Sequence, residues 1–200
     1  ESRGRIRALL AWNPQVVVDL HEMGGNSTYY FPPSAAPGNP HATPQQRQLF
    51  ELFGRENARV FDERGWPYFI AEIFDSFYPG YGASWPTTHG ALGKTFEMAS
   101  SRGLVFERYD GTHLTYGDGV ERNFQAALRT ALTAAENRER MLREFVAFRR
   151  SAVADGQRGT RAYVLDASHD APRAERLART LASNGVEVRR ARAAFRLGSR

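Results

Sequence analysis

The sequence predicts an α/β protein in which a mixed sheet has helices on both faces and the start of a second α/β unit follows. Two observations favour this class. Short runs rich in β-branched and aromatic residues, at 15–20 (QVVVDL) and 91–96 (ALGKTF), are typical of strands. Longer segments with helical periodicity lie between and after them, at 44–61 and 120–150. The content of 42% hydrophobic and 24% charged residues is that of an ordinary globular protein.

The first quarter of the chain predicts a helix, a strand and a long loop. Residues 3–12 have helical spacing and end before Asn13-Pro14. The strand at 15–20 is followed directly by His21 and a glycine-containing loop. Residues 26–42 contain four prolines and predict irregular structure. Such a long loop inside a compact domain is more often functional than idle.

The next segment predicts a well-defined helix and two further strands. Thr43 is a plausible N-cap, Pro44 fits the first helical position, and Gly65 ends the helix. Residues 68–73 are a candidate strand, and a loop rich in Gly, Pro and aromatic residues follows over 76–86. The strand at 91–96 is then followed directly by a glutamate, Glu97.

The last part of the chain predicts a long helix, a linker and a second unit. Residues 120–150 place apolar side chains on a broad stripe, as an amphipathic helix does. The polar, glycine-flanked stretch at 155–159 predicts a linker that separates domain 1–154 from domain 160–200. The second domain begins as a β-α-β unit, which is too small to bury a core alone. Its predicted elements are a strand at 161–166, a helix at 170–185 and a strand at 186–190.

Composition and charge exclude several kinds of function. The chain has no cysteine, which excludes disulfides, cysteine metal ligands and thiol nucleophiles. The formal charge is +5, but the arginines are mixed with acidic residues, so we predict solvated helix faces and no nucleic-acid surface. No apolar run approaches the roughly 20 residues that span a bilayer. The first residues lack a signal-peptide pattern, and we expect the chain to begin within a longer protein.

Two polar residues follow predicted strands and form the candidate site. His21 and Glu97 would emerge at one edge of the sheet if their strands are parallel, because ligands bind beyond the carboxyl ends of such strands. Imidazole is a good zinc ligand, and a carboxylate beside a metal-bound water can take its proton. Taken singly, each residue is more often a structural or solvated group. The sequence contains no H-x-x-E, H-x-x-H or H-E-x-x-H spacing.

Two longer segments resemble the zinc carboxypeptidase A family. VVVDLHEMGGNSTYYFPP at 16–33 resembles the segment in which a strand ends in the third zinc ligand of that family. FYPGYGASWPTTHGALGKTFEMASSRG at 77–103 resembles the stretch from its mobile tyrosine loop to its catalytic glutamate, which follows Thr-Phe. With the helix at 120–150, the resemblance covers about residues 1–150. The layout is similar to that of bacterial members with an appended glutamine-amidotransferase-like or flavodoxin-like domain.

The resemblance implies a function and a set of site residues. His21 would bind zinc, Glu97 would be the general base, and either Tyr78 or Tyr81 would be the flexible tyrosine that closes over a peptide substrate. Spacing does not choose between the two tyrosines, which otherwise simply brace their loop. The resemblance also implies a periplasmic or secreted protein. The oligomeric state is left open.

The resemblance also implies what this chain lacks. The family's H-x-x-E zinc motif and its substrate-binding arginines would lie upstream, so we expect the chain to be the C-terminal half of a catalytic domain and to be inactive alone. The alternative is a non-catalytic peptide-binding or scaffold module with the same fold. If the chain carries part of a zinc site, His21 and Glu97 should lie on the same face of the sheet and within roughly 10 Å of each other, because one zinc and its water must fit between them.

Overall fold

The computed structural model describes residues 2–160, 162–193 and 195–196 and confirms a mixed α/β fold. The chain divides into two compact units. The central unit is Pro14–Asp155, and the terminal unit combines the described residues before Pro14 with those after Asp155. No helix in the described ranges has the length and apolar character needed to cross a membrane.

The central unit is built on a small mixed sheet with strand order β1-β5-β2. β1 (Val16–Met23) and β5 (Leu92–Ala99) are parallel, and β2 (Tyr29–Tyr30) is antiparallel to β5. β1 and β5 are eight-residue strands, and their ladder pairs every residue from Val16–Leu92 to Met23–Ala99. Both strands therefore continue two residues beyond His21 and Glu97, which we had expected directly after the strand ends.

Long helices cover one face of this sheet. α2 (Pro44–Glu63) begins with the predicted Thr43 cap, and α4 (Tyr116–Glu136) and α5 (Arg138–Arg158) follow the sheet in the sequence. Apolar side chains of β5 on this face pack against the helices in two clusters, because alternate strand residues point to the same side. The cluster members that illustrate this are Phe96 and Phe61 in one, and Leu92, Phe53 and Met141 in the other.

The opposite face of the sheet carries one short helix and remains largely open. α3 (Ser84–Thr87) lies directly over β5, and Gly93 permits this close approach because it has no side chain. A Cβ at position 93 would collide with the backbone carbonyl of Ala83, the residue before α3. Helices thus lie on both faces, as predicted, but the long ones share one face. The open part of the other face forms the cleft described below.

Several short elements were missed or placed wrongly by the sequence pattern. The predicted strand at 68–73 forms only one isolated bridge, between Phe69 and Tyr30, because Ala71 and Ile73 have positive φ angles that end an extended run. The predicted loop at 26–42 contains β2 and also β3 (Ala35–Gly38), which pairs with β4 (Asp75–Ser76). A hairpin of β6 (Val105–Glu107) and β7 (His113–Thr115) precedes α4.

The predicted helix over 120–150 is two helices, and its apolar stripe does not face the core. The chain breaks at Asn137, between α4 and α5. The face of α4 that packs against the sheet carries smaller side chains, those of Ala126, Thr130 and Thr133, which are buried. Most of the larger apolar residues of the predicted stripe are exposed, namely Phe124, Leu128, Leu132 and Leu142, whereas Phe145 is half-buried.

The terminal unit contains two of the predicted helices but none of its predicted strands among the described residues. α1 (Ser2–Trp12) and α6 (Ala171–Ser183) form as expected. Residues 162–166 and 186–190 pair with no other strand in the described ranges, and Arg161 lies outside them. A strand needs a neighbouring strand that hydrogen-bonds to its backbone N–H and C=O groups, and these segments have no such partner among the described residues. α5 also extends through 155–158, where the linker was predicted.

Candidate active site on the open face of the sheet

The register of β1 and β5 brings four side chains together on the open face. His21 is the direct partner of Glu97, and Asp19 is the direct partner of Thr95. Because alternate residues of a strand share a face, all four side chains lie on the side that carries α3. The conditional expectation that the two strands run parallel is therefore confirmed, and so is the shared face of His21 and Glu97.

The His21 ring lies between two carboxylates. Its Nε2 is 3.1 Å from Asp19 Oδ1, and its Nδ1 is 3.6 Å from Glu97 Oε1. The first distance is short enough for Asp19 to accept a hydrogen bond from an Nε2–H group. The second distance is too long for a hydrogen bond. Nδ1 therefore faces the Glu97 side of the ring without a hydrogen bond to that carboxylate.

Glu97 is a buried carboxylate without a hydrogen-bond donor among the described residues. Its residue exposure is only 7%. Burial raises the pKa of Glu97 from its ordinary value of 4.5, since the charged form loses water; His21 lowers this pKa and Asp19 raises it. A carboxylate whose pKa is raised accepts protons more readily at neutral pH, which suits a general base.

A wide cleft with a volume of about 740 Å³ opens beside this group, and Glu97 is not among the residues that line it. Asp19, His21 and Thr95 form part of its floor. Two other walls come from α2 and from the segments around β3 and β4. The side chains of these walls include Arg47, Phe50, Glu51, Tyr30, Ser34 and Asp75. The cleft is large enough for a small ligand or a short peptide end, and polar side chains lie on both its floor and its walls.

The two candidate tyrosines differ in their position relative to the cleft. Tyr81 lines the cleft, whereas Tyr78 is not among the lining residues. Both rings are exposed, at 47% and 58%, and they pack edge to face with centroids 5.3 Å apart. The contact shows that they brace one another in the loop, as the plainer interpretation expected. Of these two tyrosines, only Tyr81 lies within reach of a ligand in the cleft.

Two residues of the site were missed by sequence reasoning. Asp19 lies two residues before His21 in the same strand, and that spacing alone would have found it had the strand been extended past His21. Tyr30 is the β2 partner of Glu97, and its hydroxyl donates to Ser34 Oγ at 3.0 Å. The pKa of Tyr30 is raised to about 12, mainly because the ring is buried; the hydrogen bond with Ser34 lowers this pKa, and the charges of Glu97 and Asp75 raise it. No local pattern indicates the Tyr30 contact, because it depends on strand pairing.

His21 and Asp19 together have the chemistry of one part of a zinc site. A metal-binding histidine commonly donates its other ring N–H to a carboxylate, and Asp19 stands in that position behind His21. Zinc sites in enzymes use three protein ligands, however. Across the described residues, no group of three His, Cys, Asp or Glu side chains is arranged to hold a metal ion. This part of the chain therefore fits one zinc ligand and one neighbouring base, not a complete ligand set.

Comparison of the chain with protein-family models, with curated proteins and with solved structures found no match. The resemblance described above therefore depends on the two sequence segments, and the roles of His21, Glu97, Tyr78 and Tyr81 stay predictions.

Proposed function

We propose that this chain supplies part of a zinc-dependent carboxypeptidase site, which hydrolyses the C-terminal bond of a peptide. The observation that carries the proposal is the pairing of Glu97 with His21 on adjacent parallel strands, with Asp19 behind the ring and the cleft in front. In this proposal His21 is one zinc ligand, Glu97 is the general base, and the two remaining ligands come from residues other than those described.

Each side chain has a definite task in such a reaction. Asp19 would accept a hydrogen bond from His21 Nε2–H and so orient the ring with Nδ1 toward the metal. When bound, zinc would polarise the scissile carbonyl and acidify a water molecule. Glu97 would take a proton from the attacking water as the water oxygen bonds to the carbonyl carbon, and would then give that proton to the leaving amine as the C–N bond breaks. The raised pKa of Glu97 supports both proton transfers, because a pKa nearer to 7 lets the carboxyl group both accept and return a proton at neutral pH.

The cleft would hold the peptide beside these groups. Tyr81 lies at its wall and is the tyrosine that we propose to contact the substrate. Tyr78 packs on Tyr81 and would act through that contact.

Two substitutions test the proposal in a polypeptide that contains this chain together with the remaining ligands. Glu97→Gln should lower turnover by about a hundred- to ten-thousand-fold and leave zinc bound, since the amide cannot accept the proton. His21→Ala should lose the zinc, because a direct ligand disappears. Activity on peptides and zinc content after dialysis are the two measurements.

A matched control is available in the same strand. Glu22 lies next to His21 but on the other side of β1, where it accepts a hydrogen bond from Ser100 Oγ at 2.9 Å. Glu22→Gln should leave both activity and zinc content near the wild-type values. Near-normal activity of the Glu97 variant, or retained zinc in the His21 variant, would refute the assignment of these residues.

A second candidate function is peptide binding without hydrolysis. It is favoured by the His21 ring, which is already flanked by two carboxylates in an arrangement that needs no metal. This function predicts that peptides bind in the cleft with the same affinity in the presence and absence of zinc. Isothermal titration with and without a chelator separates it from the carboxypeptidase proposal.

A further inference from the structure

Lys94 is a fully buried amine that the proposed reaction does not use. It is the single lysine of the sequence and is 1% exposed. Its side chain points from β5 toward the long helices, where Nζ donates to Thr130 Oγ1 of α4 at 3.0 Å. Nζ also lies 4.1 Å from the ring centroid of Phe53 and 5.2 Å from that of Phe96. The amine is therefore held between two aromatic rings and one hydroxyl.

No carboxylate in the described residues neutralises this amine. Glu56 of α2 and Arg129 of α4 pair with each other at 3.4 Å. The buried polar residues of α2 are Gln46 and Asn57, and both are uncharged. Glu97 belongs to the same strand as Lys94 but lies on the opposite face. Aromatic faces attract a cation, but the attraction is far smaller than the cost of removing an unpaired ammonium from water.

The neutral amine is consequently the form that fits the core. Burial holds the pKa of Lys94 well below its usual range, and no neighbouring charge opposes this effect. A protonated Lys94 can regain water only if α2 and α4 separate locally from β5. That separation also affects the cleft, because Thr95 and Glu97 are held by the same eight-residue strand.

We propose that Lys94 is a pH-sensitive element of the core, which couples the packing of α2 and α4 against β5 to the position of the Glu97 strand. With a neutral amine, the two helices and the strand stay packed and the site on the other face is held. Protonation of the amine loosens β5, and the site loses its support. This inference does not depend on zinc or on hydrolysis, since it concerns only the core side of the strand.

Because the chain has one lysine, its ionisation is directly observable. Protein labelled with ¹³C at lysine Cε gives one side-chain resonance, whose chemical shift reports protonation during a pH titration. We expect this resonance to titrate well below the value of about 10.4 found for an exposed lysine. Titration at that ordinary value, in protein that retains its native spectrum, would overturn the proposal.

Lys94→Met separates the charge from the packing, because Met has a similar length and no ionisable group. In the wild type, the unfolded state binds one more proton than the native state between the lowered pKa of native Lys94 and about 10.4. The unfolding equilibrium constant should therefore fall about tenfold for each unit by which the pH rises in that range. The variant should lack this dependence and be the more stable protein at neutral pH. The same pH slope in both proteins would contradict the inference.

Hydrogen exchange of the β5 amides tests the coupling to the site. In the wild type, protection of Thr95 and Glu97 should decrease as the pH falls through the titration of Lys94, after correction for intrinsic exchange rates. In Lys94→Met, protection should be independent of pH over that range. If β5 protection stays constant in the wild type while the lysine titrates, the amine is pH-sensitive but does not control the strand, and the proposal fails.

Discussion

The contact between α3 and the sheet gives a sharp test of how the cleft is built. An added Cβ at Gly93 would overlap the carbonyl oxygen of Ala83, and both the carbonyl carbon and Cα of Ala83 would also lie within close contact. Gly93→Ala must therefore displace backbone, not a flexible side chain. Overpacking of this kind costs about 3 kcal/mol, and replacing a strand glycine returns roughly 0.5–1 kcal/mol. We expect a net loss of about 2 kcal/mol in the free energy of unfolding.

Urea unfolding measures this loss, and hydrogen exchange over α3 shows whether the displaced element is the one expected. Gly119→Ala is the matched control. Gly119 lies within α4, and its added Cβ would have an ordinary contact of 3.8 Å with Met98 Cγ. That variant should gain about 0.5–1 kcal/mol, as helix glycines do when replaced by alanine. Wild-type stability in Gly93→Ala would refute the close approach of α3 to β5.

Three further predictions concern the site and its supports. Because the pKa of Glu97 is raised, its carboxyl group binds a proton more tightly in the native state than in the unfolded state. The protonated carboxyl therefore contributes stability at low pH, and this contribution is lost as the pH rises from about 4.5 through the native pKa. Glu97→Gln should remove that loss, which is about 1.4 kcal/mol for each unit of raised pKa, and pH-dependent unfolding checks it. Thr43→Ala should cost about 1 kcal/mol in urea unfolding, because the capping box with Gln46 is lost. This chain alone should bind zinc weakly and show no peptidase activity; stoichiometric zinc after dialysis would mean that the ligand set is different.

Local sequence patterns were sufficient wherever a structure depends on residues close together in the chain. The start of α2 is an example, since Thr43 Oγ1 accepts a hydrogen bond from the backbone N–H of Gln46, and Gln46 Oε1 accepts one from the backbone N–H of Thr43. The proximity of His21 and Glu97 was also predicted, because the carboxyl ends of parallel strands meet at one edge. The fold class followed from the same alternation of strand and helix patterns.

Other features depended on residues that are distant in the sequence. The register between β1 and β5 decided that both strands continue past His21 and Glu97, and it placed Asp19 beside the ring. The apolar stripe of α4 has the right period for a buried face, yet the sheet packs against the small residues of another face. The period is therefore insufficient to identify the core side.

The sequence by itself determined the class of fold, the principal helix starts and the two residues at the centre of the candidate site. Only the tertiary structure decided that Asp19 lies beside the His21 ring, that Tyr30 borders Glu97 and that Lys94 is buried with no counter-charge from the part of the chain that the structure describes. The reason is physical. A cap or a period is set by residues three or four positions apart, whereas a ladder register and the burial of one amine are set by packing between segments dozens of residues apart.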